Sequence, residues 1–224
     1  MSSLLPYDMA KSLQVQTEND LPQHITYDQF KTVYDNLTNL DQILWGLLWE
    51  TGGRITAVLS IRWIDIDLNA KEIKLLVQKK KRHTTIRIPL SNVVLSLIRN
   101  YLALAKPDVE TYIFSSKSKV GRLTRQAISN KLVEIGRTQL GFSGKVLRSK
   151  DKIVKGRIVS NVKRDDLHPH MFRHGLAIYL LSRGVPLQVI AARLGHSNLF
   201  ITQKSYLVIT PEIQRQLTAH IPMG

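Results

Sequence analysis

Thr51-Gly52-Gly53-Arg54-Ile55-Thr56-Ala57-Val58-Leu59-Ser60-Ile61-Arg62-Trp63-Ile64-Asp65-Ile66-Asp67 is the stretch on which the fold turns. It begins where an apolar helix has to stop. Residues 43–49 carry no charge, Asp41 opens that run, and the paired glycines end it. Residues 54–61 then read as a short helix, and the alternation over 64–68 reads as a strand. Asn69-Ala70 supplies a turn, residues 72–77 a second strand and residues 84–88 a third, which together predict a small antiparallel sheet. Helix, break, helix and sheet within fifty residues mark an α+β chain rather than a bundle or a sandwich.

Working outward, Phe30, Val33, Tyr34 and Leu37 fall at helical spacing, with Thr26 or Asp28 placed to cap. Residues 1–24 are polar without sustained periodicity and read as a tail or linker. Downstream, Ser91 caps a helix running to residue 105, residues 112–114 form a short extended piece, and 124–140 is helical again. Residues 141–166 are irregular, with a scatter of cations at Lys145, Arg148, Lys150, Lys152, Lys155, Arg157, Lys163 and Arg164. They read as a basic loop or an extra hairpin over 152–162. Helices follow over 170–182, 187–194 and 199–207, punctuated by Gly184 and Gly195, and a last one over 211–219 starts at Pro211. The expected fold is mainly α with a small antiparallel β-sheet, one domain over 25–209 and a tail over 210–224.

Composition bounds the partners. Lys and Arg number 32 against 17 Asp and Glu, a net charge of +15, which points to a polyanion, with nucleic acid favoured over a membrane surface. No apolar run approaches the roughly 20 residues of a membrane span, and no secretory signal opens the chain. The absence of cysteine excludes disulfides, thiolate metal sites and a thiol nucleophile, and fits a cytoplasmic protein.

Four groups of residues carry potential chemistry. His170 and Arg173 lie three apart on one helix and share a face, and a guanidinium grips two phosphate oxygens without losing its charge. Arg54 follows a glycine turn at a helix start, where anions are already favoured. Lys79, Lys80, Lys81 and Arg82 occupy the apparent turn between two strands; one lysine there is placed to act as a general acid, and a solvated hairpin tip is the bland alternative. His196, in Leu194-Gly195-His196-Ser197, and Tyr206 complete the set. A phenol ionising near 10 needs cations and proton acceptors around its target before it attacks at neutral pH.

With these residues in view, the chain resembles the tyrosine recombinase (phage integrase) family. The segment 51–67 looks like the first arginine box, and His170-Met171-Phe172-Arg173-His174, Leu194-Gly195-His196-Ser197 and Tyr206 look like the second. The resemblance covers residues 26–207. It implies a type IB topoisomerase-like reaction in which Arg54 and Arg173 clamp a phosphate, His170 and His196 hydrogen-bond it, Tyr206 attacks, and a hairpin lysine protonates the departing oxygen. Lys81 is the first choice for that lysine, because the stretch ending Ile86-Arg87-Ile88-Pro89 resembles the second strand of the family's hairpin; Lys80 and Lys79 stay open. The resemblance further implies a 3'-phosphotyrosine intermediate, no cofactor, double-stranded DNA as partner and a homotetramer on it, and leaves accessory DNA-bending proteins open. Lys79, Lys80, Arg82, Lys152, Lys155 and Arg157 are candidate DNA contacts. The sequence departs from the family pattern in three places: Ala57 stands where an acidic residue is usual, Tyr206 lies ten residues after His196 where nine is usual, and only about 25 residues stand where most members carry an N-terminal helical domain, as expected of a catalytic fragment or a compact member.

Two further readings compete. Residues 177–207 read also as a helix-turn-helix, which would make the chain a DNA-binding regulator, and loss of the acid at 57 would fit a catalytically impaired binder. His168, His170 and His174 invite a zinc site, but no His-Glu-x-x-His pattern accompanies them and the expectation is no metal.

Overall fold

The computed structural model describes residues 22–79, 82–148, 152–154, 157–159 and 162–196. The expected helices over 199–207 and 211–219, the 210–224 tail, most of the 1–24 tail, and Lys80, Lys81, Lys150, Lys155, Ser197 and Tyr206 lie outside these residues.

Helix α1 (Tyr27–Tyr34) opens on a capping box: the Thr26 hydroxyl accepts from the Gln29 amide, and the Gln29 side chain accepts from the Thr26 amide. Leu37 lies beyond this helix but packs on the core. Helix α2 (Asn39–Thr51) follows and is the axis of the molecule. Every residue from Ile43 to Trp49 is buried in it, because neighbours cover it on all sides. Trp45 donates its indole N–H to the Phe30 carbonyl at 3.1 Å and meets Phe172 edge-on, with ring centroids 4.5 Å apart.

The segment after α2 differs from the sequence reading in extent. Only Ile55–Val58 is helical (α3), with Arg54 as its N-cap residue. The expected strand over 64–68 begins as a 3-10 turn, Trp63–Asp65, and only β1 (Ile66–Asp67) pairs with the sheet. The reason is local. The Asp65 carboxylate accepts from the Arg62 amide at 2.9 Å and closes the turn, while the Trp63 and Ile64 amides donate to the Thr111 and Val109 carbonyls.

Strands β2 (Glu72–Lys79) and β3 (Arg82–Pro89) are longer than expected and pair antiparallel from Glu72↔Pro89 to Lys79↔Arg82. The sheet order is β1-β2-β3. Ile73, Leu75 and Val77 face the core while Lys74 and Leu76 are exposed, the period-2 alternation of a sheet covered on one side.

Helix α4 (Asn92–Ala105) is capped by Ser91, whose hydroxyl accepts from the Val94 amide, and α5 (Arg125–Gln139) by Thr124 in the same way. Between Gln139 and Pro169 the chain forms two short antiparallel ladders, β4 (Val146–Arg148) with β7 (Val162–Arg164) and β5 (Lys152–Val154) with β6 (Arg157–Val159). The expected extra hairpin is therefore present and starts earlier than residue 152. Its base is clasped: the Gly144 amide donates to the Asp165 carbonyl, the Asp165 amide donates to the Lys145 carbonyl, the Asp165 carboxylate accepts from the Ser143 amide and hydroxyl, and Arg137 pairs with Asp166 at 2.9 Å.

Helices α6 (Pro169–Ser182) and α7 (Leu187–Arg193) close the described fold. Met171 and Phe172 join the main core, whereas Leu176, Ala177, Ile190 and Leu194 form a second cluster between α6 and α7.

Candidate active site

The first half of the site is built at the C-terminus of α2. Gly52 takes the left-handed conformation, φ 55°, that ends the helix. A side chain there would also collide, since an added Cβ would lie 2.5 Å from Leu194 Cδ2 and 3.0 Å from Leu176 Cδ2. Thr51, fully buried, donates its hydroxyl to the Leu47 carbonyl at 2.6 Å and accepts from the Gly53 amide at 3.0 Å. The chain is thus rigid up to Arg54, which emerges into solvent while Gly52 and Gly53 stay buried.

The second half comes from α6 and the turn after α7. Arg173 is only 6% exposed, and its two terminal nitrogens each donate at 2.8 Å, one to the Gly52 carbonyl and one to the Leu194 carbonyl. Those carbonyls lie two residues before Arg54 and two before His196. One guanidinium therefore fastens the two motif segments, 121 and 21 residues away along the chain, to a single point. Gly195, at φ 67°, lets the His196 turn lie on the sheet; an added Cβ would stand 3.2 Å from Val77 and 3.8 Å from Ile86.

The electrostatics report the same convergence. Burial first, then Arg173 and Arg54, hold the His196 ring down at about 4 from its ordinary 6.5. His170, though at the surface, is lowered by desolvation and then by Arg173, Arg54 and Arg125. His174 is lowered to about 4, chiefly by burial, with His170, His168, Arg173 and His24 adding like charge. At neutral pH the site is a cluster of permanent cations flanked by neutral imidazoles, able both to donate to and to accept protons from an anion.

This has a consequence for stability. The folded chain keeps His174 and His196 neutral down to about 4, whereas the unfolded chain protonates them from about 6.5. The unfolded state binds more protons between those values, so the contribution is fully present above 6.5 and is lost as pH falls toward 4. Urea unfolding midpoints across that interval should decline with acidity, and His174→Gln should flatten the decline. An unchanged slope in that variant would remove His174 from the account.

Of the residues expected from the sequence, Arg54, His170, Arg173 and His196 are brought together. His174 joins them as a packed neighbour of His170, with ring centroids 6.3 Å apart. Lys79 and Arg82 are register partners at the end of the β2-β3 ladder, and Lys152 and Arg157 lie in β5 and β6 of the separate hairpin. Ala57 packs its methyl against the core. Sequence reasoning missed Arg193, whose Nε donates to the Glu50 carbonyl at 2.9 Å and whose Nη2 donates to the Pro89 carbonyl at 3.2 Å. It also missed Arg125, which bears electrostatically on His170. A cation in the last turn of α7 was the only sequence signal for Arg193, and it suggests capping of its own helix rather than of a distant one. Among the described residues no group of three or more His, Cys, Asp and Glu is arranged to hold a metal ion, and no helix is long and apolar enough to cross a membrane.

The sequence model of the phage integrase family matches residues 23–212. The chain belongs to the phage integrase family. Two curated relatives extend the comparison. A probable integrase/recombinase protein of Methanocaldococcus jannaschii is 30% identical over 163 residues, covering 72% of this chain and 44% of that protein. The tyrosine recombinase XerC of Staphylococcus saprophyticus is 24% identical over 214 residues, covering 91% of this chain and 63% of that one. The chain thus spans roughly half the length of the first and under two thirds of the second. Among solved structures, XerA recombinase superposes with a TM-score of 0.66 at 19% identity, over 91% of this chain and 67% of that one. XerH site-specific recombinase, bound to its difH substrate in a pre-cleavage complex, gives 0.60 at 18% identity, over 90% and 53%. The mainly α fold with its small antiparallel sheet is the catalytic fold of this integrase family.

Proposed function

We propose that this chain is the catalytic domain, residues 25–209, of a tyrosine-type site-specific DNA recombinase, acting in integration, excision or inversion. The observation that carries the proposal is the meeting of Arg54, His170 and His196 around Arg173, whose guanidinium ties both motif segments together. In the reaction, the Tyr206 oxygen attacks the phosphorus of one DNA strand. Its proton passes to an acceptor at the site, the bond to the 5'-oxygen breaks, and Lys81, or Lys80 or Lys79, protonates that oxygen. The products are a 3'-phosphotyrosine and a free 5'-hydroxyl. Arg54 and Arg173 offset the extra charge of the pentacoordinate phosphorus, and His170 and His196 hydrogen-bond its oxygens. Because the ester preserves the bond energy, rejoining to another strand needs no nucleotide cofactor.

Double-stranded DNA is the partner the charge supports, and XerH was captured on its difH substrate both before and after cleavage. Lys79, Lys80, Arg82, Lys152, Lys155 and Arg157 are the cations proposed to meet its phosphates, and a homotetramer is the proposed working assembly. The test is a nicked suicide duplex from the flanks of the native element, incubated without metal or ATP and resolved on a denaturing gel. A covalent band whose tryptic peptide carries the nucleotide on Tyr206 is expected. DNA binding with no band would favour a regulator or a catalytically impaired binder.

A further inference from the structure

We propose that Arg193 is a positioning residue for strand cleavage, holding the His196 turn, the Arg54 turn and the lysine hairpin in one register. The inference rests on the recombinase reading above. Arg193 is the last residue of α7, three before His196. Its half-buried guanidinium leaves its own helix and donates to two carbonyls of other elements: that of Glu50, in the last turn of α2 and four residues before Arg54, and that of Pro89, the last residue of β3. The end of a helix leaves its final carbonyls without intrahelical partners, and buried ones must find donors elsewhere. At α2 they find two arginines from outside the helix, Arg173 on Gly52 and Arg193 on Glu50.

The same point is braced from the far side. The Glu50 carboxylate accepts from the Ser91 amide at 2.8 Å and from the Ser91 hydroxyl, and that hydroxyl in turn caps α4. Glu50 also supplies the negative charge that favours the Arg193 cation, against the burial that lowers its pKa. Arg193, Glu50 and Ser91 thus close a bracket across α7, α2 and the β3-α4 junction. Of these, α7 leads into His196, α2 leads into Arg54, and β3 is one rail of the hairpin that carries the lysines. Arg173 fastens the first two, and Arg193 ties the sheet to them directly. Among the described residues the Arg193 bonds go to Glu50 and Pro89, neither of them assigned to the reacting phosphate, so its effect is on where the assigned residues stand.

The test compares Arg193→Met and Arg193→Lys with the wild type on the nicked duplex, following adduct formation at saturating DNA. Rate constant and final amplitude are read separately, alongside DNA affinity. A merely structural residue reduces the fraction of active molecules and so the amplitude. A positioning residue slows the folded molecules themselves. Arg193→Met is expected to lower the rate constant about 10- to 100-fold, the scale of a misplacement near one ångström, with little change in affinity. Arg193→Lys, which can reach one carbonyl of the two, should recover part of the rate and serves also if the methionine chain folds poorly. A wild-type rate constant in both variants would overturn the proposal. A wild-type chain that forms no adduct would overturn the recombinase reading itself, and this inference with it.

Discussion

Arg173→Ala is expected to lose covalent adduct formation by about 10³-fold or more and to destabilise the fold as well. The catalytic part follows from the proposed clamp: a guanidinium offsets phosphoryl charge that no water molecule can offset as well in a partly dehydrated site. The stability part follows from the structure alone. Truncation strips donors from the Gly52 and Leu194 carbonyls in a place where Arg173 is only 6% exposed, and each unsatisfied buried acceptor costs about 1–3 kcal/mol. A loss of about 3 kcal/mol in chemical denaturation is expected. Arg173→Lys keeps the charge but cannot hold two carbonyls in one planar fork, so it should recover stability in part and remain deficient in cleavage. Tyr206→Phe is the contrast: adducts vanish while DNA binding and unfolding stay as in the wild type. If Arg173→Ala unfolded like the wild type, the two carbonyl bonds would not be what joins the motif segments.

Gly175→Ala is expected to destabilise the protein by about 2–3 kcal/mol, although alanine is ordinarily better than glycine inside a helix by about 1 kcal/mol. The reversal comes from crowding on both sides. A Cβ at 175 would run into the backbone oxygen of Ile25 and would stand 2.9 Å from Trp49 Cζ3. A backbone oxygen cannot rotate away as a side-chain tip can. The Ile25 amide also donates to the Met171 carbonyl one turn earlier, so the segment before α1 is already tied to α6. Because α6 carries His170 and Arg173, the tilt that relieves the clash should slow cleavage beyond what the lost stability explains. Equilibrium urea unfolding decides the first point; a midpoint at or above the wild-type value would show that the α6 contact yields.

Much of this fold was legible where a short polar side chain closes a helix. Thr26, Ser91 and Thr124 each mark a start correctly, since their hydroxyls satisfy amides that the helix itself cannot. Gly52 marks a stop for a comparable reason. The reading overran at residues 64–65, where alternating Ile and Asp continue the strand pattern into a turn, because the partners that hold that turn, Val109 and Thr111, lie over forty residues away. The site shows the same division. Arg54, His170, Arg173 and His196 announce themselves by type and spacing, but that Arg173 is buried and bonded to two distant carbonyls is a long-range fact no local pattern carries. Arg193 was invisible for that reason.

The clasp at the root of the basic hairpin has a further meaning. Ser143, Gly144 and Lys145 are bonded to Asp165, and Arg137 to Asp166, so the chain is already closed where the excursion leaves and returns. The excursion between them thus starts from a closed junction, where a change of length costs closure entropy of about 0.6 kcal/mol per doubling. That makes the interval after Lys145 a graft point. Foreign segments, shorter turns or reporter peptides can be spliced there while the helix bearing His170 and Arg173 keeps its seat.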